Sequence, residues 1–395
     1  MYKFQNTDLV ILVGGKGRRL KSITNLPKPL IKIKNKPFIQ YLLNFYTKYN
    51  FKKIYLITSY GSKKFFSKFH KKIINSIQIE CIKEISPNDT AGALNTIRKK
   101  ISKNFILLNG DSFLDFDISK IKFTNKNRLI LVKNKNYHSN KKLSNLFINK
   151  KKKVVYKKNS NYMNAGIYFF TKEIFKLIPK NQNCSLENDI IPKLIRKEKL
   201  YGDRVNKFFI DIGTPKNLMK AFKIIPSVFT KNTAIFDRDG TINYDFKYVH
   251  QMENFKIKPG IIKSLQYLTK KNFQIFIITN QSGIARGLYS IKNFYSFQKE
   301  IKQFFLHKKV IIRDVYFCPH HPTIGKNKFK KKCNCRKPKV GLYKKLEKEW
   351  LIDKKKCFMI GDQVSDFKFA KVNDIKFSYP NSNIYKQVRD LSNFD

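Results

Sequence analysis

The segment Asp237–Thr241 reads DRDGT and follows an apolar run, Thr233–Phe236, so two carboxylates stand two residues apart after a predicted strand. An ionised carboxylate such as Asp237 can attack phosphorus at neutral pH when a bound cation holds the reactants together. Asp239 can then protonate the departing oxygen and later activate water. A calcium loop would need further oxygen ligands and a Glu at fixed spacing, which are absent. The motif predicts phosphoryl chemistry.

Two later apolar runs also end in polar side chains that suit this chemistry. Thr279 follows one run, and its hydroxyl can hold a phosphoryl oxygen. Asp362 follows another, and its carboxylate can bind Mg²⁺. Lys337 can neutralise charge in the transition state. Because functional groups gather at the carboxyl ends of parallel strands, we expect these side chains to converge on Asp237.

The chain contains two close pairs of metal-ligating residues separated by twelve residues, namely Cys318 with His320 and Cys333 with Cys335. Four such ligands suit a tetrahedral Zn²⁺ site, and a closed shell of protein ligands is typical of a structural zinc. Reduced thiols on a loop are the alternative. Since Lys337 follows Cys335 by two residues, zinc would fix the catalytic lysine.

The order of these motifs, which ends in GDQVSD at Gly361–Asp366, resembles that of the haloacid-dehalogenase-type phosphatases. Longer stretches resemble the narrower family of D-glycero-D-manno-heptose 1,7-bisphosphate 7-phosphatases over nearly all of residues 232–395, namely Asp237–Asn243, Tyr248–His250, Thr279–Gly287 and Cys318–Pro322. The related histidinol-phosphate phosphatases share the aspartates and the zinc loop, but Ser282–Gly287 fits the heptose family better.

That resemblance implies an aspartyl-phosphate mechanism with Asp237 as the nucleophile and Asp239 as the acid and base. It places Mg²⁺ on Asp237, Asp239 and Asp362. It also implies that Thr279 and Lys337 stabilise the phosphoryl group. The implied substrate contacts are Asp245, Tyr248, Asn280, Gln281, Ser282 and Arg336.

The N-terminal half carries a glycine-rich loop after its first apolar run. Gly14, Gly15 and Gly17 would let backbone N–H groups approach phosphates, and adjacent cations would neutralise them. The loop has neither the Gly-Lys-Ser/Thr of a Walker loop nor the spacing of a dinucleotide fingerprint. Two separated aspartates at predicted strand ends, Asp111 and Asp211, can together hold one Mg²⁺.

With its companion motifs, this loop resembles the sugar-phosphate nucleotidylyltransferases over about residues 8–223, and most nearly the D-glycero-α-D-manno-heptose 1-phosphate guanylyltransferases; the companions are Pro27–Leu30, Thr90–Leu94, Asn164–Tyr168 and Asp211–Pro215. The resemblance implies attack by a sugar 1-phosphate on the α-phosphorus of an NTP, with release of pyrophosphate. The implied roles are nucleotide binding by Gly14, Gly15, Gly17 and Gly92, charge stabilisation by Arg19 and Lys28, Mg²⁺ binding by Asp111 and Asp211, and sugar binding by Asn164 and Glu187. The chain departs from the family at Val13 and Arg18, where Ala and Thr are usual, and in lacking a Glu-Lys-Pro segment.

Apolar runs alternate with turns and helical stretches along both halves, which predicts an α/β fold with two doubly wound domains. The runs are Asp8–Val13, Lys53–Thr58, Asn104–Leu108, Thr233–Phe236, Gln274–Ile278 and Cys357–Ile360, and Pro37–Tyr49 has helical spacing. The first predicted domain, residues 1–228, is a Rossmann-like, GT-A-like nucleotidyltransferase. The second, residues 232–395, is a haloacid-dehalogenase-like Rossmannoid phosphatase with a zinc loop. The pattern restarts after 221–230, which predicts a short linker carrying Pro226.

The composition is strongly basic, with 82 Lys and Arg against 27 Asp and Glu. The excess is mainly Lys, scattered beside abundant Asn, Ile and Phe as AT-rich codons would produce, so we expect no specific nucleic-acid partner. The polar N-terminus and the absence of a long apolar window predict neither a signal peptide nor membrane insertion. Six Cys without a disulfide framework fit a reducing cytoplasm.

The two halves fit one sequence of reactions. The phosphatase would yield a heptose 1-phosphate and the transferase would consume one, so we expect a bifunctional enzyme that makes an NDP-heptose, with GTP as donor, for surface polysaccharide. One alternative is a hexose-1-phosphate transferase joined to a histidinol-phosphate-type phosphatase. Another is a degenerate transferase domain that binds polyanions through the charge of +55.

Overall fold

The computed structural model describes residues 4–84, 89–123, 125–133, 145–325 and 327–394. The strands of the N-terminal half are β1 (Thr7–Leu12), β2 (Lys32–Ile33), β3 (Lys36–Pro37), β4 (Ile54–Thr58), β5 (Ile73–Ile74), β6 (Ile77–Lys83), β7 (Asn104–Asn109), β8 (Ser112–Leu114), β9 (Asn127–Lys133), β10 (Leu146–Ile148), β11 (Val154–Tyr156), β12 (Tyr162–Thr171), β13 (Leu200–Val205) and β14 (Phe209–Asp211). Its α-helices are α1 (Phe38–Tyr46), α2 (Ser62–Phe69), α3 (Asp89–Gly92), α4 (Ile191–Arg196) and α5 (Pro215–Phe229).

Eight of these strands form the main sheet of the described N-terminal half, in the order β13-β9-β12-β7-β1-β4-β6-β5. Strands β7, β1, β4 and β6 run parallel to one another, whereas β12 runs antiparallel to both β7 and β9, and β5 runs antiparallel to β6. Alternate residues of β1 enter different cores, because Leu9 packs on one face of the sheet and Val10 on the other. The predicted α/β architecture with both faces covered is confirmed.

The strands of the C-terminal half are β15 (Lys231–Phe236), β16 (Gln274–Asn280), β17 (Ile312–Cys318), β18 (Ile352–Ile360) and β19 (Lys376–Ser378). Its helices are α6 (Ile261–Lys270), α7 (Ile291–His307), α8 (Gly341–Glu349), α9 (Val364–Val372) and α10 (Ile384–Ser392). In the described residues the five strands of this half form a parallel sheet in the order β17-β16-β15-β18-β19. The strand that ends at Asp237, β15, is therefore central.

The junction between the halves differs from the predicted linker. Pro226 lies inside α5, and Thr230 alone separates that helix from β15. The helix continues through Pro226 because Leu218, Ala221 and Ile225 bury one of its faces. The proline lacks one backbone N–H, so the helix loses only one hydrogen bond to the preceding turn. The prediction of a linker carrying Pro226 is therefore wrong.

Buried polar contacts join the two halves. The ammonium group of Lys302, on α7, is buried and donates to the carbonyl oxygens of Thr47 and Asn75. The Asn75 N–H donates to the Asp314 carboxylate over 3.0 Å, in the reverse direction across the same contact. Because every group in this set is paired, the two halves pack through a specific interface. Among the described residues, none of the helices has the length and apolar composition needed to cross a bilayer.

Candidate active sites

A cleft of about 430 Å³ opens at the carboxyl edge of the C-terminal sheet. Asp237 directly follows β15, Thr279 lies near the end of β16, and Asp362 follows β18, so three strand ends deliver these side chains to one edge. The cleft lining includes every substrate contact expected from the sequence, namely Asp245, Tyr248, Asn280, Gln281, Ser282 and Arg336. The structure thus brings that predicted set together around Asp237.

Lys337 is buried beside the proposed nucleophile. Its ammonium group lies 2.8 Å from the Asp237 carboxylate and 2.5 Å from that of Asp366, and it also donates to the Ile278 carbonyl oxygen. Burial raises the pKa of Asp237 to about 7, the charge of Lys337 opposes that rise, and Asp366 adds to it. A bound divalent cation would favour the ionised form that nucleophilic attack requires.

The carboxylate oxygens of Asp237, Asp362 and Asp366 lie within 4.8 Å of one another. Such an all-oxygen set fits Mg²⁺. The loop that carries Asp237 approaches so closely that a Cβ on Gly240, where φ is +81°, would lie 2.3 Å from Asp362 Oδ2. Asp366 had no role assigned from the sequence, although the GDQVSD motif contains it.

The Asp239 carboxylate is not in this cluster, and the expected contribution of Asp239 to the Mg²⁺ site stays a prediction. It is turned toward Arg238, whose guanidinium donates over 2.7 and 3.1 Å, and toward Gln281 and Asn243. Burial alone would raise the pKa of Asp239, but Arg238 and the other donors hold it below the ordinary value. The role of Asp239 as acid and base stays a prediction.

The four residues of the predicted zinc site come together at the last residue of β17, Cys318, and in the loops that follow it. The Sγ atoms of Cys318, Cys333 and Cys335 are 3.3–3.6 Å apart, and His320 Nδ1 lies 3.2 Å from Cys335 Sγ. When four ligand atoms bind a tetrahedral ion at about 2.0–2.3 Å, their distances from one another are similar to those between these Sγ and Nδ1 atoms. The Cys318 thiol lowers the pKa of Cys335 to about 5, so a thiolate is available to a metal. These donors fit Zn²⁺.

The zinc loop leads directly into the catalytic cleft. The Arg336 guanidinium donates to the His320 carbonyl oxygen over 3.2 Å, and the next residue, Lys337, exchanges two hydrogen bonds with the Asn280 side chain. An ion bound at His320 would therefore fix the backbone from which Lys337 reaches Asp237.

Replacing a zinc ligand should slow the phosphatase reaction without touching the reacting groups. In Cys335→Ser we expect bound zinc to fall from about one ion per chain, measured by atomic emission. The phosphatase kcat should fall roughly 10–100-fold, because Lys337 loses its support. Cys357→Ala, which alters a buried thiol outside the cluster, should keep both zinc and rate. A zinc-free variant with the wild-type rate would contradict the positioning role.

A second cleft, of about 310 Å³, opens beside the glycine-rich loop of the N-terminal half. Its lining includes Gly14, Gly15 and, from α3, Thr90. Gly17 and Gly92 are not among the lining residues: Gly17 lies next to the Lys28 side chain at φ +60°, and Gly92 is the buried last residue of α3. The lining also includes Glu84, which the sequence reading missed, because a single Glu after β6 forms no motif until the fold places it beside Gly14.

Four charged residues expected from the sequence gather at one end of this half. Lys28 Nζ lies 3.0 Å from Asp111, and a Cβ on Gly213 would lie within 3.2 Å of atoms of Arg19, Lys28 and Asp211. Burial and then the neighbouring Asp111 raise the pKa of Asp211. Two carboxylates that oppose each other's ionisation in this way fit a site for a divalent cation, and Mg²⁺ is the ion expected there.

The two residues expected to bind the sugar are linked through a buried tyrosine. Asn164 Nδ2 lies 2.6 Å from the Tyr168 hydroxyl, which in turn donates to Glu187 over 3.2 Å. The Thr90 hydroxyl donates to the other Glu187 oxygen over 2.9 Å. This chain of hydrogen bonds connects the expected sugar contacts to the helix that lines the nucleotide cleft.

Two family descriptions match successive parts of the chain. Residues 9–227, more than half of its length, match the nucleotidyl transferase family. Residues 232–384 match the polynucleotide kinase 3 phosphatase family.

Individual proteins resemble each part. The D-glycero-beta-D-manno-heptose-1,7-bisphosphate 7-phosphatase of Haemophilus influenzae is 43% identical over 138 residues, which cover 35% of this chain and 74% of that protein. The crystal structure of HddC from Yersinia pseudotuberculosis is 28% identical, covering 55% of this chain and 99% of that one, with a TM-score of 0.48. The D,D-heptose 1,7-bisphosphate phosphatase of B. bronchiseptica, complexed with magnesium and phosphate, is 23% identical over 42% of this chain and 88% of that one, with a TM-score of 0.35.

Proposed function

We propose that this bifunctional enzyme makes GDP-heptose in two steps, because the chain belongs to two families. Over residues 9–227 it belongs to the nucleotidyl transferase family. Through its phosphatase motifs it belongs to the family of D-glycero-beta-D-manno-heptose-1,7-bisphosphate 7-phosphatases. The C-terminal site removes the 7-phosphate of the heptose bisphosphate through Asp237. The N-terminal site then transfers GMP from GTP to the heptose 1-phosphate and releases pyrophosphate. The observation that carries the proposal is the presence in one chain of two sites of which one makes what the other consumes.

A positively charged rim on the phosphatase cleft supports a bisphosphate as its substrate. The Arg286 guanidinium lies 5.5 Å from the ring centroid of Tyr248, which lines the cleft as Arg336 does. The pKa of His321 is lowered by partial burial and then by the positive charges of Arg336 and Arg286. Both guanidinium groups therefore lie near the same imidazole ring. Neither arginine has a carboxylate within ion-pair distance among the described residues. Their charge suits a second phosphate beyond the reacting one.

Glu84 supports guanine as the base. A Cβ on Gly14 would lie 2.9 Å from Glu84 Oε1, so this carboxylate stands against the glycine-rich loop in the proposed nucleotide cleft. Guanine presents two N–H donors side by side, which two carboxylate oxygens can accept together. Adenine and cytosine present one donor beside an acceptor, and the acceptor would face the carboxylate unpaired.

We propose that Mg²⁺ serves both sites, that Zn²⁺ is structural, and that the product supplies surface polysaccharide from the cytoplasm.

A coupled assay tests the proposal. Purified chain with the heptose 1,7-bisphosphate, supplied as each anomer, and Mg²⁺ should release phosphate, and adding GTP should then release pyrophosphate. ATP, CTP and UTP in parallel reactions should give at least about tenfold less pyrophosphate, because they leave Glu84 poorly paired. Histidinol phosphate and hexose 1-phosphates serve as competing substrates. Release of neither product from the heptose substrates would overturn the proposal, and faster turnover of the competing substrates would favour the hexose and histidinol alternative.

A further inference from the structure

A buried chain of hydrogen bonds connects Tyr289 to the phosphatase site. The Tyr289 hydroxyl donates to Gln281 Oε1 over 2.6 Å. Gln281 Nε2 then donates to Asp239 Oδ2 over 2.9 Å and to Thr279 Oγ1 over 2.9 Å. Both Gln281 and Tyr289 are buried, so water does not compete for these bonds. The amide of Gln281 thus links the two groups that flank the reacting phosphate.

The surrounding donors fix which way the Gln281 amide faces. Its oxygen receives the Tyr289 hydroxyl and, over 3.2 Å, the Arg238 guanidinium. A flipped amide would turn its oxygen toward the carboxylate of Asp239, which also only accepts hydrogen bonds. Because Gln281 donates to Thr279 Oγ1, the threonine proton remains available for a phosphoryl oxygen. The amide orientation therefore determines how Asp239 and Thr279 face the substrate.

Packing holds the Tyr289 ring in place independently of its hydroxyl. The ring stacks on His250 with centroids 4.6 Å apart and an interplanar angle of 13°. His250 is itself anchored, since its Nδ1 lies 2.7 Å from the Tyr248 carbonyl oxygen. On another side, a Cβ on Gly283 would lie 2.4 Å from Tyr289 Cε1, so only glycine leaves room for the ring. The ring is rigid, and the hydroxyl alone reaches Gln281.

We propose that Tyr289 is a positioning residue for the phosphatase reaction, which acts through Gln281 to hold Asp239 and Thr279 at one spacing around the phosphate. This inference rests on the proposed phosphatase function. Tyr289 lines the cleft but lies outside the cluster of Asp237, Asp362 and Asp366, and its hydroxyl donates to Gln281, so we expect its effect to pass through the amide. We expect substrate binding by the rim arginines to be independent of it.

The variant Tyr289→Phe removes the hydroxyl and keeps the stacked ring. With p-nitrophenyl phosphate and with the heptose bisphosphate, we expect kcat to fall roughly 3–10-fold and KM to stay within about twofold. The melting temperature should stay within about 4 °C of wild type, because a single hydrogen bond is lost. Tyr343→Phe is the matched control, since it removes another buried hydroxyl of the same domain, one with no hydrogen-bond partner among the described residues, and should leave kcat unchanged.

A double-mutant cycle separates positioning from general destabilisation. If Tyr289 acts through the amide, Tyr289→Phe should cause no further loss of kcat in a Gln281→Ala background. Additive losses, an unchanged kcat in the single variant, or an equal loss in Tyr343→Phe would each overturn the inference. Wild-type chain that hydrolyses neither substrate would instead overturn the proposed function. An active wild type with an unaffected Tyr289→Phe variant would overturn the positioning role alone.

Discussion

A chain carrying Asp237→Asn is expected to release phosphate at least about 10³-fold more slowly than wild type, while its transferase rate is unchanged. The amide cannot attack phosphorus, and it removes one of three clustered carboxylates. The fold should survive, because the buried ammonium group of Lys337 keeps Asp366 as an ion-pair partner at 2.5 Å. Phosphate release from the heptose bisphosphate and pyrophosphate release from GTP with heptose 1-phosphate, measured on one preparation, give both rates.

The control for this variant is Asp353→Asn, which changes an aspartate near the start of β18, where it accepts a solvent-exposed hydrogen bond from the Lys355 N–H. Both rates should match wild type. Phosphate release within about tenfold of wild type in Asp237→Asn would mean that another group is the nucleophile. Loss of both activities together would indicate a folding defect.

The second large effect is expected at the other site, where Asp111→Asn should slow pyrophosphate release by about 10²–10³-fold and leave phosphate release intact. The change removes one of two carboxylates proposed to hold Mg²⁺, and a metal ion at a phosphoryl group contributes several kcal/mol to the transition state. It also removes the ion pair that holds Lys28, 3.0 Å away, toward Asp211. Titration with Mg²⁺ should show a raised metal requirement.

Glu173→Gln provides the comparison, because Glu173 is an exposed carboxylate of the same half whose ion-pair partner in the described part of the chain is Lys176, three residues further on. It should leave both rates and the Mg²⁺ requirement unchanged. Wild-type pyrophosphate release in Asp111→Asn would remove this aspartate from the metal site. An intact phosphatase rate in the same preparation shows that the fold is preserved.

Much of both sites could be read from the sequence, because the functional side chains follow strands whose order along the chain is itself visible. Asp237, Thr279 and Asp362 each stand at the end of an apolar run, and the parallel sheet brings those ends to one edge. The zinc ligands could also be predicted from the sequence, because the spacing within each pair already limits the geometry of the site. Local pattern and general topology are sufficient for such groups.

Other features depend on contacts that no local pattern encodes. Glu84 meets Gly14 across the strand β4 that separates β1 from β6, and Tyr289 reaches Asp239 and Thr279 through Gln281. The orientation of the Asp239 carboxylate could not be predicted, because it depends on the adjacent Arg238 turning back to pair with it. At Pro226 the sequence signal for a break was outweighed by the buried face of α5. In each case tertiary packing, and not the segment itself, decides the outcome.

The contact between Lys302 and Thr47 can form only late in the synthesis of the chain. The two residues are 255 positions apart, so the carbonyl group at the end of α1 leaves the ribosome long before its ammonium partner exists. At about 5–20 residues per second, that interval is roughly 13–50 s. The transferase half is complete only at the end of α5, Phe229, so for roughly the last 4–15 s of this interval we expect it to present an uncovered surface. Chaperone contact with the growing chain should concentrate on the face that α7 later covers.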